Sequence, residues 1–130
     1  MSAAPVARLA TIDPDGRPNM VPFCFAFAGD ILYTAVDHKP KEGRVLRRTA
    51  NLVRDARATV LVDHYEDDWD RLWWVRIRGR GRMVEDEAER GRAVAALVEK
   101  YAPYREEPPG DVILAIEVDE WRGWTASPVE

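Results

Sequence analysis

One cysteine and two histidines are all that this chain of 130 residues offers for thiol or soft-metal chemistry. Cys24 has no partner for an internal disulfide, and it lies in the apolar run Val21 to Ala28. It therefore reads as a small buried side chain rather than a nucleophile. His38 and His64, with no cysteine partner, make no zinc signature. The acidic run Glu66, Asp67, Asp68 and Asp70 lacks the spacing of a calcium loop and reads as solvated, so no metal site is expected. There is no glycine-rich phosphate loop, no dinucleotide fingerprint and no Ser/His/Asp grouping with motif support. No run approaches the roughly 20 apolar residues that span a bilayer. The N-terminus also lacks the basic-then-apolar pattern of a secretory signal. A soluble, reduced, cytoplasmic protein with no membrane partner is the expectation. Positive charge is short overall: the net charge of −4 argues against a nucleic-acid partner.

What is present suits one domain over residues 1–130, with enough chain for a single core. Turn chemistry at Asp13-Pro14-Asp15-Gly16-Arg17-Pro18 and at Gly29-Asp30 separates three apolar stretches. These stretches predict strands over Val6 to Ile12, Asn19 to Ala28 and Ile31 to Val36, in an antiparallel meander. A helix is predicted over Val45 to Arg54, with Leu46, Ala50 and Val53 on its packing face. Arg57 to Asp63 predicts a fourth strand, and His64 to Asp70 a polar loop. Leu72 to Val84 alternates over its whole length and reads as the longest strand. Trp73, Val75, Ile77, Gly79, Gly81 and Met83 share one face of it; Trp74, Arg76, Arg78, Arg80 and Arg82 share the other. Asp86 starts a helix to about Tyr101, with acids in its first turn and Ala93, Ala96, Leu97, Lys100 and Tyr101 on its packing side. Pro103, Pro108 and Pro109 break that helix into a loop. Asp111 to Val118 is the last strand, followed by a short aromatic tail, Trp121 to Ala126. Six strands with two or three helices suggest a small, mainly β, antiparallel barrel.

Two constellations invite a chemical reading. Lys39, Lys41, Arg44, Arg47 and Arg48 gather behind the strand that contains Tyr33 and Thr34. They are either a solvated helix start or an anchor for an anion, since cations at a helix N-terminus oppose its dipole unless a bound phosphate relieves the conflict. The four arginines of the long strand repel one another and call for nearby acids; otherwise one or two of them, beside Trp74, line a pocket or an interface. The five tryptophans must pack in the core, at an interface or against a ligand. An anion anchor and many aromatics, without an evident acid–base pair, fit a protein whose chemistry resides in a cofactor.

The chain resembles the pyridoxamine 5′-phosphate oxidase-like split-barrel flavoproteins, and within them the actinobacterial branch that uses the deazaflavin F420. The resemblance rests on Leu9-Ala10-Thr11 with Asp15-Gly16-Arg17-Pro18, on Tyr33-Thr34 followed by Lys39-Pro40-Lys41, and on Leu46-Arg47-Arg48 with Asn51-Leu52. Arg57 to Asp63, Asp68-Trp69 with Leu72 to Arg76, and Trp121-Arg122-Gly123-Trp124 complete it. It implies a six-stranded split barrel that forms a homodimer with cofactor sites at the interface. Asn19, Val21, Pro22, Thr34, Lys39, Lys41, Arg47 and Arg48 would hold the ring edge and phosphate, and a second subunit would add Trp74, Arg76 and Trp121. The activity implied is hydride transfer between F420, or FMN as the alternative, and a small electron-poor substrate such as an enone, quinone or imine. Tyr65 or solvent would supply a proton. A non-catalytic carrier of FMN, haem or a bilin is the reading of another class. The tail lacks the substrate-phosphate pattern of the vitamin-processing oxidases, and His38-Lys39-Pro40-Lys41 stands where their Ser-Arg-Lys would be.

Overall fold

A computed structural model of the chain describes residues 1–36, 47–110 and 112–127. Its seven strands form one sheet in the order β2-β1-β5-β6-β7-β4-β3, with every neighbouring pair antiparallel. They are β1 (Ala7–Ile12), β2 (Pro18–Phe23), β3 (Ala26–Ala28), β4 (Ile31–Ala35), β5 (Arg57–His64), β6 (Trp73–Met83) and β7 (Ile113–Thr125). Helices α1 (Arg47–Arg54), α2 (Glu87–Lys100) and α3 (Ala102–Glu106) cover it. The edge strands β2 and β3 are consecutive in the chain, so the sheet curls until its two edges meet at one corner. This is a split barrel, with seven strands in place of the six expected.

The extra strand comes from a break. Asn19 to Ala28 was expected as one strand, but the chain leaves the sheet at Cys24 and Phe25. A break frees backbone groups that must find other partners. Here the end of α2 supplies them. The Phe25 N–H donates to Tyr101 Oη at 3.0 Å, and the Phe25 carbonyl accepts from Lys100 Nζ at 2.7 Å and Tyr101 Oη at 3.1 Å. Cys24 is exposed as a result, not buried, because the break turns its side chain out of the apolar alternation on either side.

The longest strand is β7, not β6. The Trp121 to Ala126 segment, expected as a separate tail, continues β7 and pairs with the first half of β6, up to Trp73↔Thr125. A bulge at Arg78/Gly79 shifts that ladder. Beyond it Gly79 and Gly81 are buried. A side chain at Gly79 would collide with the Glu117 carbonyl, and at Gly81 a Cβ would lie 2.7 Å from Leu52 Cδ2. Close approach of backbone and helix therefore demands glycine at both positions.

Both faces of β4 and of the start of β7 are covered. Leu32, Leu114 and Ile116 join Leu9, Phe25, Val60, Val62 and Ile77 in the barrel interior. Tyr33, Ala35, Ile113 and Ala115 pack instead with Ala93 and Leu97 of α2. The bounds of α2 follow from its caps: Asp86 accepts from the Glu89 N–H at 2.9 Å, and Tyr101 closes it. Pro103 stands in the first turn of α3 rather than in a loop, which suits a residue with no N–H to place. In α1 the expected packing face is not the one used. Ala50 and Val53 are exposed, Thr49, Asn51 and Leu52 are buried, and Leu46 lies outside the described residues. No helix of the described residues is long and apolar enough to cross a membrane.

A charged network sits between α2 and the sheet. Buried Glu89 accepts from both Arg82 Nη atoms, at 2.8 and 2.7 Å, and from Tyr33 Oη at 2.7 Å, while Arg82 Nε donates to Glu117 at 3.0 Å. The Arg82 and Tyr33 hydrogen bonds hold the Glu89 carboxyl down at about 2. Burial, and then the Glu89 bond, push Tyr33 up to about 12. Burial pulls Lys100 down to about 8 and pushes Tyr101 up to about 12.

Two limbs of the stability–pH curve follow. The Glu89 carboxyl is depressed from 4.5 to about 2, so its contribution is complete above pH 4.5 and is lost as pH falls through 2. Glu89→Gln should lose about 2 kcal/mol at neutral pH and show a shallower acid limb in urea titrations run from pH 5 to pH 2. The Lys100 ammonium is depressed from 10.5 to about 8, so from pH 8 upward the unfolded chain holds more protons and stability rises with pH. That rise is bounded by one proton, about 1.4 kcal/mol per pH unit. Above pH 10 it is opposed by Tyr33 and Tyr101, whose folded values are near 12. Lys100→Met should flatten the slope between pH 8 and 10; an unchanged slope would remove Lys100 as its source.

Candidate functional site

The barrel corner opened by the break is a cleft of about 440 Å³. Pro22, Phe23 and Cys24 line it from the end of β2, Thr34 and Ala35 from β4, Arg48 from α1 and Tyr104 from α3. Three residues expected for a cofactor, Pro22, Thr34 and Arg48, therefore stand together. Thr34 is buried in the sheet, so its side chain is held still. Arg48 brings a guanidinium with planar, forked donors suited to a phosphate or carboxylate. The size suits a small ligand or the end of a larger one.

The other expected residues divide. Lys39 and Lys41, with Arg44, lie outside the described residues. Asn19 and Val21 stand further along β2, opposite Thr11 and Leu9, and Val21 packs on the barrel core. Arg47 turns to Asp13 at 3.5 Å. Trp121 stacks on Phe27, with ring centres 5.7 Å apart and an interplanar angle of 28°. Trp74 lines a second, apolar groove of about 410 Å³ at the far ends of β6 and β7, with Trp73, Trp124 and Met1. The Arg76 guanidinium lies over the Trp74 ring at 5.9 Å, and its buried Nε has no hydrogen-bond partner among the described residues. Tyr65 is exposed, takes a hydrogen bond from Trp69 Nε1 at 3.3 Å, and lines neither cavity.

The arginine face of β6 is largely neutralised. Arg80 pairs with Asp119 at 3.1 Å, Arg82 with Glu89 and Glu117, and Arg78 stands opposite Glu120. That is the solvated, acid-paired reading rather than an open cationic stripe. Among the described residues no three metal-ligating side chains gather.

Sequence reasoning did not name Tyr104, and it quoted Asn51 within the Arg47-Arg48/Asn51-Leu52 motif without giving it a role. Tyr104 reaches the cleft from α3, in a stretch rich in proline. Asn51 is 1% exposed and ties α1 to the end of β1. Its Nδ2 donates to Thr11 Oγ1 and Asp13 Oδ1, both at 3.0 Å, and its Oδ1 accepts from Arg54 Nη1 and Nη2, both at 3.2 Å. Besides that motif, the signal available for Asn51 was an amide among the alanine, leucine and valine of a short amphipathic helix.

Residues 1–125 match the family described as pyridoxamine 5′-phosphate oxidase. A conserved hypothetical protein from Mycobacterium tuberculosis is similar in structure, with a TM-score of 0.73 and 25% identity over 93% of this chain and 77% of that one. A FAD-binding protein from Mesorhizobium loti gives 0.67 and 23%, over 94% and 86%. A heme storage protein from Vibrio cholerae gives 0.72 and 17%, over 94% and 86%. At such identities the last two are alike in fold alone. No curated protein matches the chain.

Proposed function

This chain belongs to the pyridoxamine 5′-phosphate oxidase family, and we propose that it is an oxidoreductase that holds a flavin-type cofactor in the Thr34–Arg48 cleft and serves a small electron-poor organic substrate. The deazaflavin F420 is the cofactor proposed, with FMN as the alternative. One observation carries the reading: Thr34, buried in the sheet, and the cationic Arg48 line the same cleft at the barrel corner. The segment containing Lys39 and Lys41 runs between the elements that supply them.

The residues present fit the anionic end of such a group. Arg48 would hold a phosphate by charge-assisted hydrogen bonds, each stronger than a neutral one. Thr34 would add a hydroxyl, and Phe23 and Ala35 would wall the ring from water. When bound, the cofactor supplies the hydride chemistry. The chain's part is to orient and to exclude water. No residue lining the cleft is assigned as an acid, and solvent supplies the proton. A homodimer is part of the proposal: Trp74, Arg76 and Trp121 do not reach this cleft within one chain, and a second copy would bring them to it.

Side-by-side fluorescence titrations with F420 and FMN test the reading, using the tryptophans as the signal. F420 should bind at micromolar concentration or tighter, and FMN more weakly. Arg48→Gln and Lys41→Ala should each weaken binding about tenfold or more, the loss expected for one charge-assisted contact of about 1.5–3 kcal/mol. Tight FMN binding alone would transfer the protein to the FMN-dependent branch. Binding of neither, or indifference to Arg48→Gln, would overturn the assignment of the cleft. Haemin binding without either flavin would favour a carrier.

A further inference from the structure

We infer that Asn51 is a positioning residue, whose side-chain amide fixes the roll of α1 and so sets where the Arg48 guanidinium stands in the cleft. Its consequence for ligand binding rests on the cofactor reading above; its geometry does not.

Helix α1 has eight residues, too few to be stable without tertiary support. Its apolar support is narrow. Thr49, Asn51 and Leu52 are its buried residues, and of these Leu52 alone is apolar. Leu52 rests over Gly81, where even a methyl group would come within 2.7 Å of Leu52 Cδ2. A single apolar contact resists lifting of a helix but not its rotation about its own axis. The polar contacts resist rotation. Asn51 uses both donors of its amide, on Thr11 Oγ1 in β1 and Asp13 Oδ1 in the following turn. Its oxygen accepts from Arg54, which also donates to the Ile12 carbonyl. Arg47 adds an ion pair to the same Asp13. The end of β1 thereby grips one side of α1 at several points.

Arg48 is three residues before Asn51, so the two side chains neighbour one another on the helix surface. Arg48 extends to the cleft. A roll of α1 about the Leu52 contact would swing Arg48 away from Thr34 while leaving the core filled.

The test is a double-mutant cycle on the full chain, with F420 and FMN as probes, joined to a crystal structure of Asn51→Ala. If Asn51 acts through Arg48, Asn51→Ala and Arg48→Gln should each cost about tenfold in affinity, and the double variant should be no worse than about twofold below Arg48→Gln. Multiplying effects, near 100-fold in the double variant, would mean a general structural role and overturn the inference. The crystal structure should show Leu52 still over Gly81 and Arg48 withdrawn from the cleft. Arg48 unmoved would overturn it, whatever binds. Wild-type protein that binds neither probe would end the cofactor reading, and the crystal structure would still decide the role of Asn51. Should Asn51→Ala fail to fold, Asn51→Asp joined to Asp13→Asn restores an amide–carboxylate pair with the partners exchanged. It should regain the affinity lost in Asn51→Asp alone, and failure to regain it would overturn the inference.

Discussion

A sheet whose two edge strands are consecutive in the chain has to be interrupted where one becomes the other, and this structure is organised around that interruption. The ladder stops at Cys24 and Phe25. The Phe25 N–H and carbonyl would then be orphaned beside the core, a loss of about 1–3 kcal/mol for each buried group left unmatched. Tyr101 and Lys100 take them over. That fixes where α2 must end, and the covered faces of β4 and β7 fix where it must lie. The same corner exposes the residues that line the cleft. Splitting the barrel and opening the site are one event in the backbone.

Apolar contacts and polar contacts do different work here. The barrel interior, from Leu9 to Ile116, draws the open sheet into its curl. Burial of this kind has no direction and tolerates small rotations. Orientation comes from groups that cannot be satisfied in two ways. Glu89, surrounded by Arg82 and Tyr33, locks α2 against β4 and β6. Asn51 does the same for α1 against β1. Helix α1 carries Arg48 to the cleft, and α2 leads into α3, which carries Tyr104 there, so directional bonds translate into the position of cleft residues.

Much of this frame was legible in the sequence. Alternation placed β1, β5 and β6 within a residue or two, and Asp86 with acids in the following turn marked the start of α2. The misses share a cause, namely partners distant in sequence. In the run Asn19 to Ala28 the one local break signal is Pro22, which sits inside β2, an edge strand; the backbone groups at the actual break are taken up by Tyr101, 76 residues on from Phe25. Asp119, Glu120 and Gly123 look like the end of a strand, yet β6 keeps that stretch paired. In α1 the apolar period chose Ala50 and Val53, while the surface beneath offers Asp13 and Thr11 and so selects Asn51. Pro22, Thr34 and Arg48 could be named through family resemblance because they flank recognisable strand and cation motifs. Tyr104 could not, since its place depends on a short helix begun at a proline expected to end one.

Three of the five tryptophans are left largely uncovered. Trp69, Trp121 and Trp124 remain 68, 50 and 49% exposed. A side chain of this type offers about 150–250 Å² for burial, at roughly 25 cal/mol per Å², so three of them leave several kcal/mol unrealised in one chain. Beside the Trp74–Trp124 pair lies the Arg76 Nε, withdrawn from solvent and without a partner among the described residues. An apolar face and an unspent donor in one place call for a cover that is flat over the rings and offers an acceptor at its edge. A second copy holding a flavin-type ring against its own Thr34 and Arg48 would present such a cover. The proposed dimer and the proposed cofactor thus answer a single deficit in the isolated chain.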